Sequence, residues 1–234
     1  MRSAAAALLF AALAAPALAA DSSEREILGF SADGSHFAFE EYGVQDGSGF
    51  PYSNIFIIET ATDTWLPGTP IRVRTDLDTA ELADTRFRAR SEAQPLLTSY
   101  AIGAPADLVV SNPLTELSAD PHLVRFEPRL IYPRMGEEWT AAIEELPLPA
   151  RNCPTDSAYH GFRLTLTGPD GQARILNDDR SIPDSRNCPF NYAISDVLTY
   201  YPEAGQPALV IMISVFSYGF EGPDRRFLAV VTRL

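Results

Sequence analysis

The stretch Gly161-Phe162-Arg163-Leu164-Thr165-Leu166-Thr167 alternates apolar and polar residues, turns at Gly168-Pro169-Asp170-Gly171 and returns through Ala173-Arg174-Ile175-Leu176. Successive side chains of a strand point to opposite faces, so the alternation buries one face and wets the other. The Gly, Pro and Asp between the runs supply the turn of a β-hairpin. Working outward, Ile27 to Phe30 and His36 to Tyr42 flank an Asp33-Gly34 turn in the same way. A Gly-rich loop from Gly43 to Tyr52 then leads to Asn54-Ile55-Phe56-Ile57-Ile58-Glu59, and Ala61 to Thr64 turns the chain back toward Trp65. The runs Leu123 to Glu127, Leu130 to Tyr132, Glu138 to Leu146 and Ile194 to Tyr201 read as further strands, with a loop from Gly103 to Pro121. Ala208 to Tyr218 and Phe227 to Val231 are almost continuously apolar, the mark of central strands covered on both faces.

One segment departs from the period of two. Between Asp76 and Tyr100, the residues Ala80, Ala83, Phe87, Ala93, Leu96 and Leu97 recur at three-to-four spacing, which predicts a helix capped by Asp76 or Asp78. Pro95 predicts a kink or break in it. Arg86, Arg88 and Arg90 in its middle read as a solvated face paired with nearby acids. The expected fold is therefore mainly β: antiparallel hairpins in a sandwich or propeller-like arrangement, with one helical insertion at about 76–100.

Composition narrows the class of function. The chain has 31 acidic and 18 basic residues, a formal charge of -13, and every basic residue is Arg. Such a surface repels nucleic-acid phosphates and anionic lipid, so neither is an expected partner. Without lysine there is no Schiff base, pyridoxal phosphate attachment or P-loop. Arg2, the apolar run Ala4 to Ala15, Pro16 and Ala17-Leu18-Ala19 have the order of a secretory leader, with cleavage expected near Ala19. That run is too short for the roughly 20 residues that span a bilayer. The reading is an acidic protein of the periplasm or the medium, one β-rich domain over 20–234 behind a leader at 1–19, with no membrane insertion once the leader is gone.

The two cysteines, Cys153 and Cys188, lie in the same tetrapeptide, Arg-Asn-Cys-Pro, at 151–154 and 186–189. In an oxidising compartment an isolated pair is most simply a disulfide. Closing a loop of about 35 residues stabilises by roughly 4 kcal/mol in the chain-entropy model. A redox pair would show Cys-x-x-Cys, and a structural zinc needs four ligands at closer spacing.

Order and spacing repeat faintly along the chain. Phe30 to Gly34, an apolar strand, Tyr42-Gly43, a loop and a strand are matched by Tyr201 to Gly205, an apolar strand, Tyr218-Gly219, a loop and a strand. Two related β units packing together would produce this order. The signature around Phe30-Ser31-Ala32-Asp33-Gly34 resembles blade motifs of secreted β-propellers, but it occurs once, and ring closure needs at least four blades. Gly29 to Gly34, Cys153 to Leu166 (with Tyr159 to Leu164) and Val215 to Arg226 together resemble a family of bacterial predicted secreted proteins known only as a domain of unknown function. The resemblance implies secretion and a single β-rich domain, and it brings no activity or catalytic residue.

Catalytic spacing is scarce. Gly29-Phe30-Ser31-Ala32-Asp33 ends in Asp where a nucleophile elbow needs Gly. His36, His122 and His160 have no zinc spacing and read as surface or strand-edge residues, and no cofactor or metal is expected. The doublets Glu40-Glu41, Glu137-Glu138 and Glu144-Glu145, with Glu221, are abundant enough for a carboxylate-based hydrolase of the envelope. Neighbours on a strand face opposite ways, however, so each doublet should have at most one inward member. Asn177-Asp178-Asp179 with Asp184, and Asp46, offer oxygen ligands for a calcium-stabilised structural protein, though none fits the EF-hand pattern. The aromatic Gly/Pro loops are the preferred candidates: Tyr42, Phe50 and Tyr52 in the first, and Tyr218, Phe220, Glu221, Arg225 and Arg226 in the second. Loops on a rigid scaffold often carry function. The leading expectation is thus a non-catalytic exported module that binds a protein or glycan of the cell envelope.

Overall fold

The hairpin at 161–176 pairs as its pattern requires: Phe162, Leu164 and Leu166 are buried, while Arg163, Thr165 and Thr167 are half-exposed. The structure, a computed structural model, describes residues 20–134, 136–154, 158–219 and 222–234. The expected leader and its cleavage point near Ala19 lie outside these residues, as do Phe220 and Glu221.

In chain order the first strands are β1 (Glu24–Ser31), β2 (His36–Val44), β3 (Pro51–Glu59), β4 (Thr64–Trp65) and β5 (Ile71–Arg74). The helix α1 (Leu82–Ser99) follows, then β6 (Ile102–Ala104), β7 (Asp107–Ser111) and β8 (Leu123–Phe126). The remainder are β9 (Trp139–Pro147), β10 (His160–Thr167), β11 (Ala173–Asp178), β12 (Pro189–Tyr200), β13 (Ala208–Ser217) and β14 (Asp224–Arg233). They form three antiparallel sheets. The inner sheet runs β4-β3-β2-β1-β6, with β5 also on β3; the central sheet is β14-β13-β12-β7; the outer sheet is β11-β10-β9-β8. Among the described residues the chain is mainly β with one α-helix, as expected, and the sheets stack face to face as a sandwich without closing into a barrel.

Burial explains the stack. Phe162, Leu164 and Leu166 of the outer sheet meet Leu209, Ile211 and Ile213 of β13 in one core. Ala208, Val210 and Met212, on the opposite pleat of β13, meet Phe30, Phe37 and Phe39 of the inner sheet in a second core. The other face of the inner sheet, through Ile55 and Ile57, is covered by Ala89, Ala93 and Leu97 of the helix. A strand buried on both faces must be apolar at every position, hence the unbroken Ala-Leu-Val-Ile-Met-Ile of β13. Each fully buried Leu or Ile stabilises by roughly 1.5–3 kcal/mol. The repeated order noted in the sequence corresponds to two three-stranded meanders, β1–β3 and β12–β14, on facing sheets. Their turns touch: the Phe30 and Tyr200 rings stack at 5.1 Å, and Tyr200 Oη donates to Ala32 O at 3.0 Å.

Several expectations need correction. The helix begins at Leu82 behind Glu81, without a side-chain cap, and Asp76 is instead held by Arg74 Nε and Nη2. Its buried face is Thr85, Ala89 and Ala93, and Phe87 is 72% exposed. Small residues face the sheet because a β surface admits a helix closely only where side chains are short. Pro95 lies within α1 and the helix runs on to Ser99, with Leu96 and Leu97 packed on the sheet. Arg86 and Arg90 are paired with acids, but those acids come from the sheet: both arginines reach Glu26 and Glu40. Leu130 to Tyr132 forms no strand, since Pro128 and Pro133 bracket it and remove ladder donors. The expected loop at 103–121 contains β7, which extends the central sheet against β12. β14 is an edge strand, not a central one; its apolar run reports two covered faces, Val230 toward the outer core and Phe227, Ala229 and Val231 toward the inner. Finally, Glu40 and Glu41 are both buried, at 0% and 3% exposure, because the inner sheet is covered on both sides there.

Candidate functional site

Cys153 and Cys188 form a disulfide with their Cα atoms 5.7 Å apart, a separation that joins two loops without backbone distortion. The bridge pins the segment before Cys188, a short 3-10 turn at Asp184–Arg186, against the open end of the stack. Cys188 O accepts the Tyr218 N–H at 3.1 Å, tying that segment to the end of β13. Under it lies a cavity of about 320 Å³ between the inner and central sheets, at the low end of the roughly 300–1,000 Å³ range of ligand pockets.

Register builds the cavity's inner-sheet wall. Glu41 of β2 lies opposite Asn54 of β3, which lies opposite Arg72 of β5, so these three side chains form one polar row across three strands. Two residues along, Phe39 faces Phe56, their rings stacked at 4.7 Å, and the Phe56 ring meets Trp65 edge-on at 5.6 Å. A polar row thus borders an aromatic one. Trp65 is 41% exposed, and Arg72 stands over its ring at 5.9 Å. The central sheet contributes Ser217, Arg226 and Phe227, and the disulfide-pinned turn contributes Ser185, Arg186 and Asn187.

Among the described residues, Glu41 is the one carboxyl lining this cavity. Its Oε2 accepts the Phe227 N–H at 2.6 Å, and its Oε1 accepts Asn54 Nδ2 at 3.2 Å. Burial raises its pKa above the ordinary glutamate value, only partly offset by the Phe227 N–H, Arg226 and Asn54. Arg226 is clamped from the other side. Its Nη2 meets Asp21 Oδ2 at 2.5 Å, and its guanidinium lies 4.8 Å over the Tyr52 ring. Asp21 is 5% exposed and also accepts Tyr52 Oη at 2.9 Å. The segment carrying Asp21 bonds along β14: Arg225 N donates to Asp21 O at 2.9 Å, and Ser23 N to Arg225 O at 3.1 Å. Residues directly behind the expected leader therefore hold one wall of the cavity.

The sequence-based candidates divide. Arg226 lines the cavity; Tyr52 lines a neighbouring groove of about 410 Å³ that shares Asn54, Arg72 and Arg226 with it. Tyr42 lies away from it, under Arg86 at 3.5 Å, and Phe50 lies beneath Arg74. Tyr218 is exposed, and Arg225 donates to Ser23 O, so it serves the N-terminal segment. Sequence reasoning named Glu41 only as a member of a carboxylate doublet, and it missed Asn54, Trp65, Arg72 and Arg186. The repeated Arg-Asn-Cys-Pro was the available signal for Arg186, since it sits two residues from a cross-linked cysteine.

Two of the expected calcium ligands are engaged by arginines. Asp178 accepts Arg163 at 2.9 Å and Arg180 at 2.6 Å, while Asp179 pairs with Arg186 and accepts the Phe162 N–H. Among the described residues no three His, Cys, Asp or Glu side chains group as a metal site would require, and no helix is long and apolar enough to cross a membrane. His122 and His160 contact backbone carbonyls of Tyr192 and Phe190 at 2.9 Å each, and His36 Nδ1 contacts Ser35 Oγ. A second concave surface holds Glu127 and Glu138, and Glu127 there faces Arg134 at 3.7 Å.

No curated protein and no solved structure matches the chain. A family model described as "Predicted secreted protein (DUF2259)" matches residues 38–233, and the chain belongs to this family of predicted secreted proteins of unknown function.

Proposed function

We propose that the protein is a non-catalytic binding module of the cell envelope, exported by a leader cleaved near Ala19, with residues 20–234 as one domain working in the periplasm or the medium. Its ligand, from a glycan or a protein, enters the cavity between the inner and central sheets. The observation that carries this reading is the makeup of that cavity: an aromatic row beside a row of hydrogen-bonding groups, roofed by a cross-linked turn. Concave apolar surface with a few fixed polar groups is the usual form of a small-ligand site. Glycoside hydrolysis would call for two facing carboxyls, and among the described residues this cavity offers Glu41 alone.

The test is a titration of the exported protein with envelope oligosaccharides and peptides, followed by calorimetry, with Trp65→Ala as the cavity variant. Trp65 is 41% exposed and packs on Phe56, so binding by the variant is read at a temperature where its circular dichroism shows it folded. Binding that disappears in Trp65→Ala, with the ligand recovered intact by mass spectrometry, supports the reading. Binding indifferent to Trp65, or ligand recovered cleaved, overturns it.

A further inference from the structure

The cavity's charges are unevenly matched. The chain is strongly acidic overall, yet among the described residues three arginines and one glutamate line this cavity. Two of the arginines are neutralised in place, Arg226 by Asp21 and Arg186 by Asp179. Arg72 has no carboxylate within ion-pair distance among the described residues, is exposed, and stands over the ring of the partly exposed Trp65. A guanidinium left unpaired in a protein with so many acids is a fork available to an incoming anion, and its planar donors suit a carboxylate bidentately.

The row geometry adds the rest of the ligand. From Arg72 the polar row continues through Asn54 to Glu41, and the aromatic row of Phe39, Phe56 and Trp65 runs beside it. A flat ring with one apolar face would lie on the aromatics, with hydroxyls reaching Asn54 and Ser217 and an acid group reaching Arg72. Resting on the reading of this cavity as the ligand seat, we infer that the ligand is an acidic sugar, a hydroxylated ring bearing a carboxylate that pairs with Arg72. A single free guanidinium, with Glu41 in the same wall, suits a monoanionic carboxylate better than a doubly charged phosphate, which would need more cations.

The experiment is a ligand-observed NMR titration of the exported protein with glucuronate, glucose, glucose 6-phosphate and benzoate, repeated with Arg72→Gln and Trp65→Ala. The expected result is glucuronate bound about tenfold tighter than glucose or benzoate, with the preference over glucose abolished in Arg72→Gln and weakened by added salt. Glucose binding as well as glucuronate, with both lost in Trp65→Ala, would overturn the charge assignment while the cavity reading stands. Preference for glucose 6-phosphate would overturn the carboxylate, and preference for benzoate would overturn the sugar. Failure of all four to bind would overturn the inferred ligand class, and the cavity reading would then be decided separately by the oligosaccharide and peptide titration.

Discussion

Replacing Glu40 with Gln keeps the shape of the side chain and removes its charge from a fully buried position. Glu40 accepts Arg86 Nε at 2.9 Å, Arg90 Nε at 2.9 Å and Ser53 Oγ at 2.8 Å, and it has no exposed surface. It joins α1 to the inner sheet from 46 and 50 residues away in sequence. In the variant an amide N–H₂ would face arginine donors. Removing one partner of a buried pair costs about 3–5 kcal/mol. Here the Arg86 and Arg90 side chains are 24% and 38% exposed, and Glu26 still pairs with both. Solvent screening and that remaining partner lower the expectation to about 2–3 kcal/mol. For a chain of this size that corresponds to a melting temperature lower by roughly 4–12 °C. Urea unfolding at pH 7, followed by circular dichroism, measures it, with the exposed Glu203→Gln as a control expected within about 0.5 kcal/mol of wild type. The pH dependence gives a second reading. Burial works to raise the Glu40 pKa, but the bonds from Arg86, Arg90 and Ser53 outweigh it and hold the group below its ordinary value. A carboxyl depressed in the folded state contributes stability above its unfolded pKa of about 4.3 and loses it as pH falls through the folded value. The gap between wild type and variant should therefore be constant near neutrality and close in acid. A gap under about 0.5 kcal/mol at pH 7, or one that widens in acid, would refute the reasoning.

Glu41, the next residue, has the opposite sign. Its pKa is raised by burial, so relative to Glu41→Gln the wild type should lose stability as pH climbs from about 4.3 through the raised folded value; a gain over that window would contradict the assigned environment. Asp21→Ala strips Arg226 and Tyr52 of their shared partner and should lower stability by about 2–4 kcal/mol in urea unfolding, and an unchanged midpoint would mean the N-terminal segment holds nothing. Cys188→Ser should cost roughly 4 kcal/mol in the chain-entropy model and loosen the turn over the cavity; melting curves that coincide with and without the bridge would count against both roles.

Local patterns announced much of this architecture. The alternation at 161–176, the Asp33-Gly34 turn and the unbroken apolar run of β13 each follow from how one strand meets water, which a short window records. The cysteine pair was legible because only one pairing exists. What a window could not record was which faces meet. Phe87 belonged to the expected helix stripe and ended in solvent, while Ala89 and Ala93 met the sheet. The Glu40-Glu41 doublet obeys strand alternation, yet both members are buried, because α1 covers one side of β2 and the central sheet the other. The cavity follows the same logic. Glu41, Asn54 and Arg72 are 13 and 18 residues apart along the chain and become neighbours only through the register of β2, β3 and β5. Local propensity, charge and chain chemistry dictated the elements and the cross-link; the stacking of layers and the pairing of strands, which depend on contacts between residues far apart in sequence, decided which polar groups were buried and where the site formed.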